Sequence, residues 1–397
     1  MVLHGPRQAG KSTLARLIAD RLGGDYVTFD RAAELEAALA DPKPYLDALR
    51  RPTVVDEIQR GGDRVVLAVK ETVDLDDRRG LFMLTGSTNF LTVPTISESL
   101  AGRADIVTLL PLSQAEIDRT RGDWVTRAFA ASDKLGFHAG ETPSREEYVE
   151  RVCRGGYPEV QKLERRHRAR WFAQYSETVI QREIESAADI RRAGLLRTTL
   201  ELLAAQTSQA VVVSDLAGRL GADRVTIDAY VGWLESAFLV TRVPSWSRNA
   251  SRRVLRRPKL HLVDSGLAAA LIGKDEAALS SPKDPSFGGL LETFVVGELS
   301  KQLAWQGQDL RLFYYRESGG GAEVDAIVER RDGRLLAIEV KATTSPRPQD
   351  ASGLRALRRR LDAVGDDFVV GVLFHTGNRR IAFDDRIVAL PIADLWT

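Results

Sequence analysis

The sequence of 397 residues predicts an α/β protein of several domains. Three observations carry that reading. Apolar strands alternate with helices over residues 1–122, the pattern of a parallel sheet covered on both faces. A wholly helical stretch then leads into a helix-turn-helix followed by two strands. In the last segment a helix precedes an antiparallel hairpin with acids near one end. The expected domains are a parallel-sheet domain at 1–122, a helical segment at 123–192, a winged helix-turn-helix at 193–265 and a C-terminal α/β domain at 266–397.

Composition narrows the functional classes. Lys and Arg number 56 against 55 Asp and Glu, so a preference for nucleic acid must come from local clustering. The single cysteine, Cys153, excludes an intrachain disulfide and suits a reducing compartment. No uninterrupted apolar run is long enough to span a bilayer. The expectation is a cytoplasmic protein without a membrane partner.

Element by element, the first domain opens on "MVLH", a short strand, and a helix from Lys11 to Leu22 that stops at Gly23-Gly24. Strands are expected at Tyr26–Asp30, Pro52–Glu57, Leu81–Ser87 and Asp105–Ser113. Between the first strand and the first helix lies Gly5-Pro6-Arg7-Gln8-Ala9-Gly10-Lys11-Ser12, a complete G-x-x-x-x-G-K-[ST] loop. Its backbone N–H groups can cradle phosphates, with Lys11 reaching the β- and γ-phosphates, Ser12 facing Mg²⁺ and Thr13 completing the binding stretch. "VVDEIQR" brings Asp56 and Glu57 to the carboxyl edge of the sheet, where Asp56 would hold Mg²⁺ and Glu57 would polarise the attacking water. Asn89, just past the fourth strand, is a candidate γ-phosphate contact, or a strand-end cap. Arg103 is a candidate phosphate-contacting arginine, or an exposed helix residue.

Taken in order, "GPRQAGKSTL", "VVDEIQR", "LTGSTNF" and "SLAGR…LLPLSQAEI" resemble the AAA-type ATPase module of a widespread prokaryotic family. In that family the module is fused to a C-terminal domain of unknown function resembling the PD-(D/E)XK nuclease fold. The resemblance implies an ATP site at Gly10, Lys11, Ser12, Asp56 and Glu57, and a homo-oligomer in which a neighbour's arginine, here Arg103, would complete it. Members usually carry a further segment before the loop. Only four residues precede Gly5 here, so the expectation is that the true start lies upstream.

In the winged helix-turn-helix, Ser214 is the expected cap of one helix, Gly221 its end, and Val225–Phe238 the next helix. "LVTRV" and "PKLHLVD" are the expected strands of a wing. Arg242, Arg248, Arg252, Arg253, Arg256, Arg257 and Lys259 cluster there with Trp246. That suits contact with a DNA backbone; the alternative is an interdomain surface whose arginines pair with neighbouring acids.

In the last domain, "AEVDAIVER" and "LLAIEVKA" flank an Asp-Gly turn. Asp325 and Glu339 then lie near one end of the hairpin, and Glu339 and Lys341 share a strand face. Two carboxylates can hold Mg²⁺ or Mn²⁺, with Lys341 stabilising phosphoryl charge. Glu292 or Glu298 on the preceding helix would complete the set, matching the PD-(D/E)XK pattern. The reading that follows is an ATPase coupled to a DNA-directed nuclease-like domain. Its alternative is an ATP-dependent switch in which that domain binds without cleaving.

Overall fold

The computed structural model describes residues 1–86, 102–130, 142–185, 193–249, 251, 253, 256–306, 309–317, 321–365 and 368–397. They form two compact units. The first comprises Met1–Pro111 with two short later pieces, Gln181–Ala188 and Ser236–Phe238; the second comprises the rest.

The first unit is built on a five-stranded parallel sheet ordered β2-β3-β4-β1-β5. Its strands are β1 (Val2–His4), β2 (Tyr26–Thr28), β3 (Thr53–Asp56), β4 (Phe82–Thr85) and β5 (Ile106–Thr108). Strands β3 and β4 are buried along their whole length, as expected of strands covered on both faces. The helices are α1 (Lys11–Leu22), α2 (Ala32–Ala40), α3 (Pro42–Asp47) and α4 (Gly62–Leu75). Between β2 and β3 the chain forms two helices, with Pro42 starting the second. Helix α1 ends at Gly23 with φ 71°, as the Gly-Gly stop implies.

The second unit begins at Leu112. Its first helix is α5 (Gln114–Asp118), which Ser113 and Glu116 start with a capping box. Gln114 N–H donates to Glu298 at 2.8 Å, and Lys301 donates to the Leu112 carbonyl at 3.0 Å. These bonds tie the segment to the long C-terminal helix. Helices α6 (Trp124–Ala130), α7 (Arg145–Arg154) and α8 (Arg165–Val179) follow, and a π-helical turn covers Ile180–Glu185.

Next come α9 (Ala193–Ala205), β6 (Gln209–Ala210), α10 (Val213–Leu220), α11 (Arg224–Ser236), β7 (Val240–Val243) and β8 (Lys259–Leu262). The three strands form an antiparallel sheet ordered β6-β8-β7. Gly221 ends α10 with φ 59°, but the helix starts one residue before Ser214, which is therefore not its cap. Helices α12 (Ser265–Leu271), α13 (Glu276–Leu279) and α14 (Ser286–Gln306) lead to the last sheet. Its strands are β9 (Leu310–Arg316), β10 (Glu323–Arg330), β11 (Leu335–Lys341), β12 (Phe368–His375), β13 (Ile381–Ala382) and β14 (Ile387–Pro391), ordered β13-β14-β12-β11-β10-β9. The β9-β10-β11 meander is antiparallel, α15 (Ser352–Asp362) crosses over, and β12 pairs parallel to β11. One face of the sheet packs on Leu354, Leu357 and Leu361 of α15. The edge of β9 is covered by Pro244–Trp246, through Tyr314 N–H to the Pro244 carbonyl and Trp246 N–H to the Tyr314 carbonyl.

Candidate nucleotide site and a buried carboxylate cluster

In the first unit, β1 delivers the loop and α1 receives it. Gly5 has φ 146° and a Cβ there would meet the Leu109 carbonyl oxygen at 2.1 Å; Gly10, the residue before α1, has φ 100°. Both demand glycine, the first for space and both for conformation. The buried Lys11 donates to the carbonyls of Gly5 (2.8 Å) and Pro6 (2.9 Å), so the loop curls around its own lysine. Ser12 is half-buried and Thr13 exposed at the first turn of α1.

Asp56 ends β3 and is buried. The Tyr26 hydroxyl donates to its Oδ2 at 2.6 Å, and the Thr85 hydroxyl donates to its Oδ1. Parallel pairing places Thr85 beside Asp56, since Leu84 pairs with Val55, whereas Tyr26 pairs with Val54 and reaches the carboxylate along β3 with its long side chain. Burial, then the bond to Asp56, raises the Tyr26 hydroxyl above the ordinary tyrosine value. Glu57 leaves the strand in the left-handed region, φ 57° and ψ 43°. It accepts a hydrogen bond from the Gln59 amide. The adjacent acids are thus separated by a backbone reversal that costs about 1–2 kcal/mol in a non-glycine residue.

Three neighbours escaped the sequence reading. His4 shares a 2.8 Å hydrogen bond with the Thr108 hydroxyl; burial, then nearby Lys11, lowers its pKa. Tyr26 and Thr85 are the others, on the strands that flank β3. Arg103 is bound by Asp74 at the end of α4, at 2.5 Å, so its guanidinium serves an ion pair within the unit. Asn89 lies outside the described residues.

The donor set suits ATP with Mg²⁺. Lys11 and the loop amides offer positive charge, and Ser12 and Asp56 offer hard oxygen donors.

In the second unit, the expected C-terminal acids converge. Helix α14 brings Glu292, β10 brings Glu323 and Asp325, and β11 brings Glu339 and Lys341. Lys341 contacts Glu339 at 2.7 Å, and the Val340 N–H donates to Asp325 Oδ2 at 2.8 Å. At their centre stands Lys259 of β8, which the sequence assigned to a DNA-contacting surface. Its Nζ lies 2.8 Å from Glu323, 2.9 Å from Glu292 and 3.4 Å from Asp325. Its side chain is 3% exposed, so it is not a surface cation. Burial opposes its charge, but Glu292, Asp325 and Glu323 outweigh that and hold the amine above the ordinary lysine value. Burial, then the Asp325 charge, raises both Glu292 and Glu339 well above the usual carboxyl range.

Other expected members sit elsewhere. Glu298, the alternative helical acid, pairs with Lys301 at 2.8 Å and accepts from Gln114, a structural role on another part of α14. Among the described residues no group of three His, Cys, Asp or Glu is disposed to hold a metal ion, so the expected trio Glu292, Asp325 and Glu339 does not form a donor set in this arrangement. The Lys259 ammonium stands between Glu292 and Asp325.

Part of the basic stretch is turned inward. Arg253 binds Glu329 through two 2.7 Å contacts and lies 4.8 Å over the Phe313 ring. Trp246 Nε1 donates to the same Glu329 at 3.0 Å. Arg256 donates to the Arg316 carbonyl at 2.8 Å, and Arg242 pairs with Glu235 at 2.8 Å. Arg248 and Arg257 remain exposed, and Arg252 lies outside the described residues. Arg253 and Lys259 thus pair with acids of their own unit.

Comparison with known proteins defines the class of the first unit. Residues 1–118 match the family model described as an AAA domain. With the loop geometry, this supports an AAA-type, ATP-binding module at the N-terminus. Residues 145–278 and 287–395 match two domains of unknown function, DUF8612 and DUF4143. The C-terminal match agrees with the expected fusion to a domain of unknown function.

Among particular proteins, the chain is 29% identical to an uncharacterized protein of Mycobacterium tuberculosis over 398 aligned residues, covering 100% of this chain and 81% of that protein. An uncharacterized protein of Haemophilus influenzae is 24% identical, covering 85% of this chain and 81% of its own length. The RuvB Holliday junction branch migration motor of Thermotoga maritima aligns with TM-score 0.28 and 20% identity, over 64% of this chain and 87% of that one. Among the described residues no helix is long and apolar enough to cross a membrane.

Proposed function

We propose that this protein is a Mg²⁺-dependent ATPase whose N-terminal module drives a nucleotide-dependent switch, and whose C-terminal domain binds without cleaving. The observation that carries the ATPase reading is the pairing of a buried Asp56 with a left-handed Glu57 at the end of β3, in the unit that holds the Gly5–Ser12 loop. Lys11 leaves its carbonyl partners to neutralise the β- and γ-phosphates. Ser12 and Asp56 hold Mg²⁺, which supplies charge neutralisation on the phosphates. The hydroxyls of Tyr26 and Thr85 keep Asp56 oriented. Glu57, turned away from Asp56, accepts the proton of the attacking water.

The α14-β9-β10-β11-α15-β12 order, with a helical acid, Asp325 and Glu339-x-Lys341, supports a PD-(D/E)XK-like fold. The α9-β6-α10-α11-β7-β8 order supports a winged helix. The Lys259 ammonium among the acids favours binding over cleavage, since function resides in the site rather than the fold. The test is ATP hydrolysis by the full chain beside Lys11→Ala, and DNA cleavage with Mg²⁺ or Mn²⁺ beside Asp325→Ala. Hydrolysis lost in Lys11→Ala, with no Asp325-dependent cleavage, is the expected result. Equal hydrolysis in both proteins refutes the first part, and Asp325-dependent cleavage refutes the second.

A further inference from the structure

We infer that Lys259 is the resident cation of the C-terminal carboxylate cluster, standing where a divalent metal would bind and excluding it. This rests on the PD-(D/E)XK-like reading of that domain.

An ammonium has three N–H donors and no acceptor. Lys259 places one carboxylate within 3.4 Å for each of them, from Glu292, Glu323 and Asp325. The acids come from α14 and β10, whereas the lysine enters from β8, a strand of a different sheet. The Tyr314 ring, 5.5 Å from Nζ, adds a further surface favourable to a cation. The charge is therefore enclosed by compensating groups. A buried amine without them would be costly, and removing one partner of such a set is strongly unfavourable.

A hard divalent cation needs the same oxygens at about 2.0–2.6 Å. An ion bridging Glu292 and Asp325 would lie against the ammonium that already bridges them, and the two positive charges would repel. Tethering also favours the lysine, because its amine is held at the site by the fold at no cost in ligand concentration.

A second observation concerns Glu339 on the neighbouring strand. Glu339, 7% exposed, gives one oxygen to Lys341 and leaves the other, Oε2, buried without a hydrogen-bond partner. Glu339 thus has a donor oxygen to spare. With the ammonium removed, Glu292 and Asp325 lose their shared cation as well. Carboxylate oxygens with vacant lone pairs are the donors that Mg²⁺ or Mn²⁺ takes.

The experiment is a Mn²⁺ titration of the nucleotide-free full chain, followed by calorimetry and by the electron spin resonance of free Mn²⁺. The wild-type and Asp325→Asn isotherms should superimpose. Lys259→Met, whose fold is checked by circular dichroism, should gain one Mn²⁺ at least tenfold tighter than any wild-type site. Lys259→Met/Asp325→Asn should lose it again. Asp325-dependent Mn²⁺ binding by the wild type overturns the inference, whether or not Lys259→Met folds. So does a folded Lys259→Met that gains no Asp325-dependent ion. Binding by the wild type without DNA cleavage overturns this inference alone. Binding with Asp325-dependent cleavage overturns the non-cleaving reading as well.

Discussion

Arg253 holds Glu329 through both terminal guanidinium nitrogens, each at 2.7 Å, while its plane covers Phe313. Both partners are 17% exposed, so the pair is largely shielded from water. It fastens the segment after β7 to strand β10.

Breaking this pair leaves a charge partly buried without a partner. Arg253→Ala should therefore lower stability by about 3–5 kcal/mol, the range for such losses. Arg248→Ala, at an exposed position, should change it by less than about 0.5 kcal/mol. Urea midpoints of the two variants check the contrast. Equal midpoints would place Arg253 among surface charges.

Glu57 occupies a conformation that glycine adopts without strain. Glu57→Gly should leave the fold as stable as the wild type or more stable by about 1 kcal/mol, while abolishing ATP hydrolysis. Glu57→Gln should keep ATP binding and lower kcat on the order of 10²–10⁴-fold. Thermal melts and single-turnover hydrolysis separate the two effects. A Glu57→Gly protein that still turns over ATP would remove Glu57 from the mechanism.

His261 is fully buried, with Nδ1 3.2 Å from the Thr293 hydroxyl. Burial, then the Lys259 charge, pushes its pKa down to about 3. Below about pH 6.5 the unfolded chain takes up a proton that the folded chain refuses. The stability due to neutral His261 is thus full above pH 6.5 and falls as pH drops toward 3. By pH 5 this group should cost about 2 kcal/mol. Guanidinium midpoints at pH 7 and pH 5 should converge in His261→Gln, and an unchanged pH slope would refute the assignment.

Cys153 is buried on α7, and burial, followed by Glu276 and Asp275, pushes its thiol up to about 12. The thiolate is the reactive form. Ellman's reagent should find no reactive thiol in the folded protein at pH 8 and one after denaturation. Rapid labelling of the native chain would contradict this environment.

The N-terminal site was largely readable from local sequence. A phosphate loop is contiguous, so Gly5, Gly10, Lys11 and Ser12 announce their geometry within eight residues. Asp56 and Glu57 were found because apolar strands alternating with helices imply a parallel sheet, and a parallel sheet gathers its strand ends. Tyr26 and Thr85 were not found. Their contact with Asp56 depends on which strands flank β3, and periodicity does not encode strand order.

The chain by itself determined the two α/β sheets, the loop that opens α1, and the acids of the C-terminal hairpin. Each follows from spacing along one segment, where backbone periods of 2 and 3.6 residues set which side chains share a face. Only the tertiary structure decided the partners of the basic stretch. Charge clustering in sequence is the same for a solvated surface and a packed one; burial distinguishes them. Lys259 and Glu292 are 33 positions apart, and folding brought them to 2.9 Å. A lysine read as a contact for phosphate is instead enclosed by carboxylates, because a buried ammonium is stable only where acids from several elements meet around it.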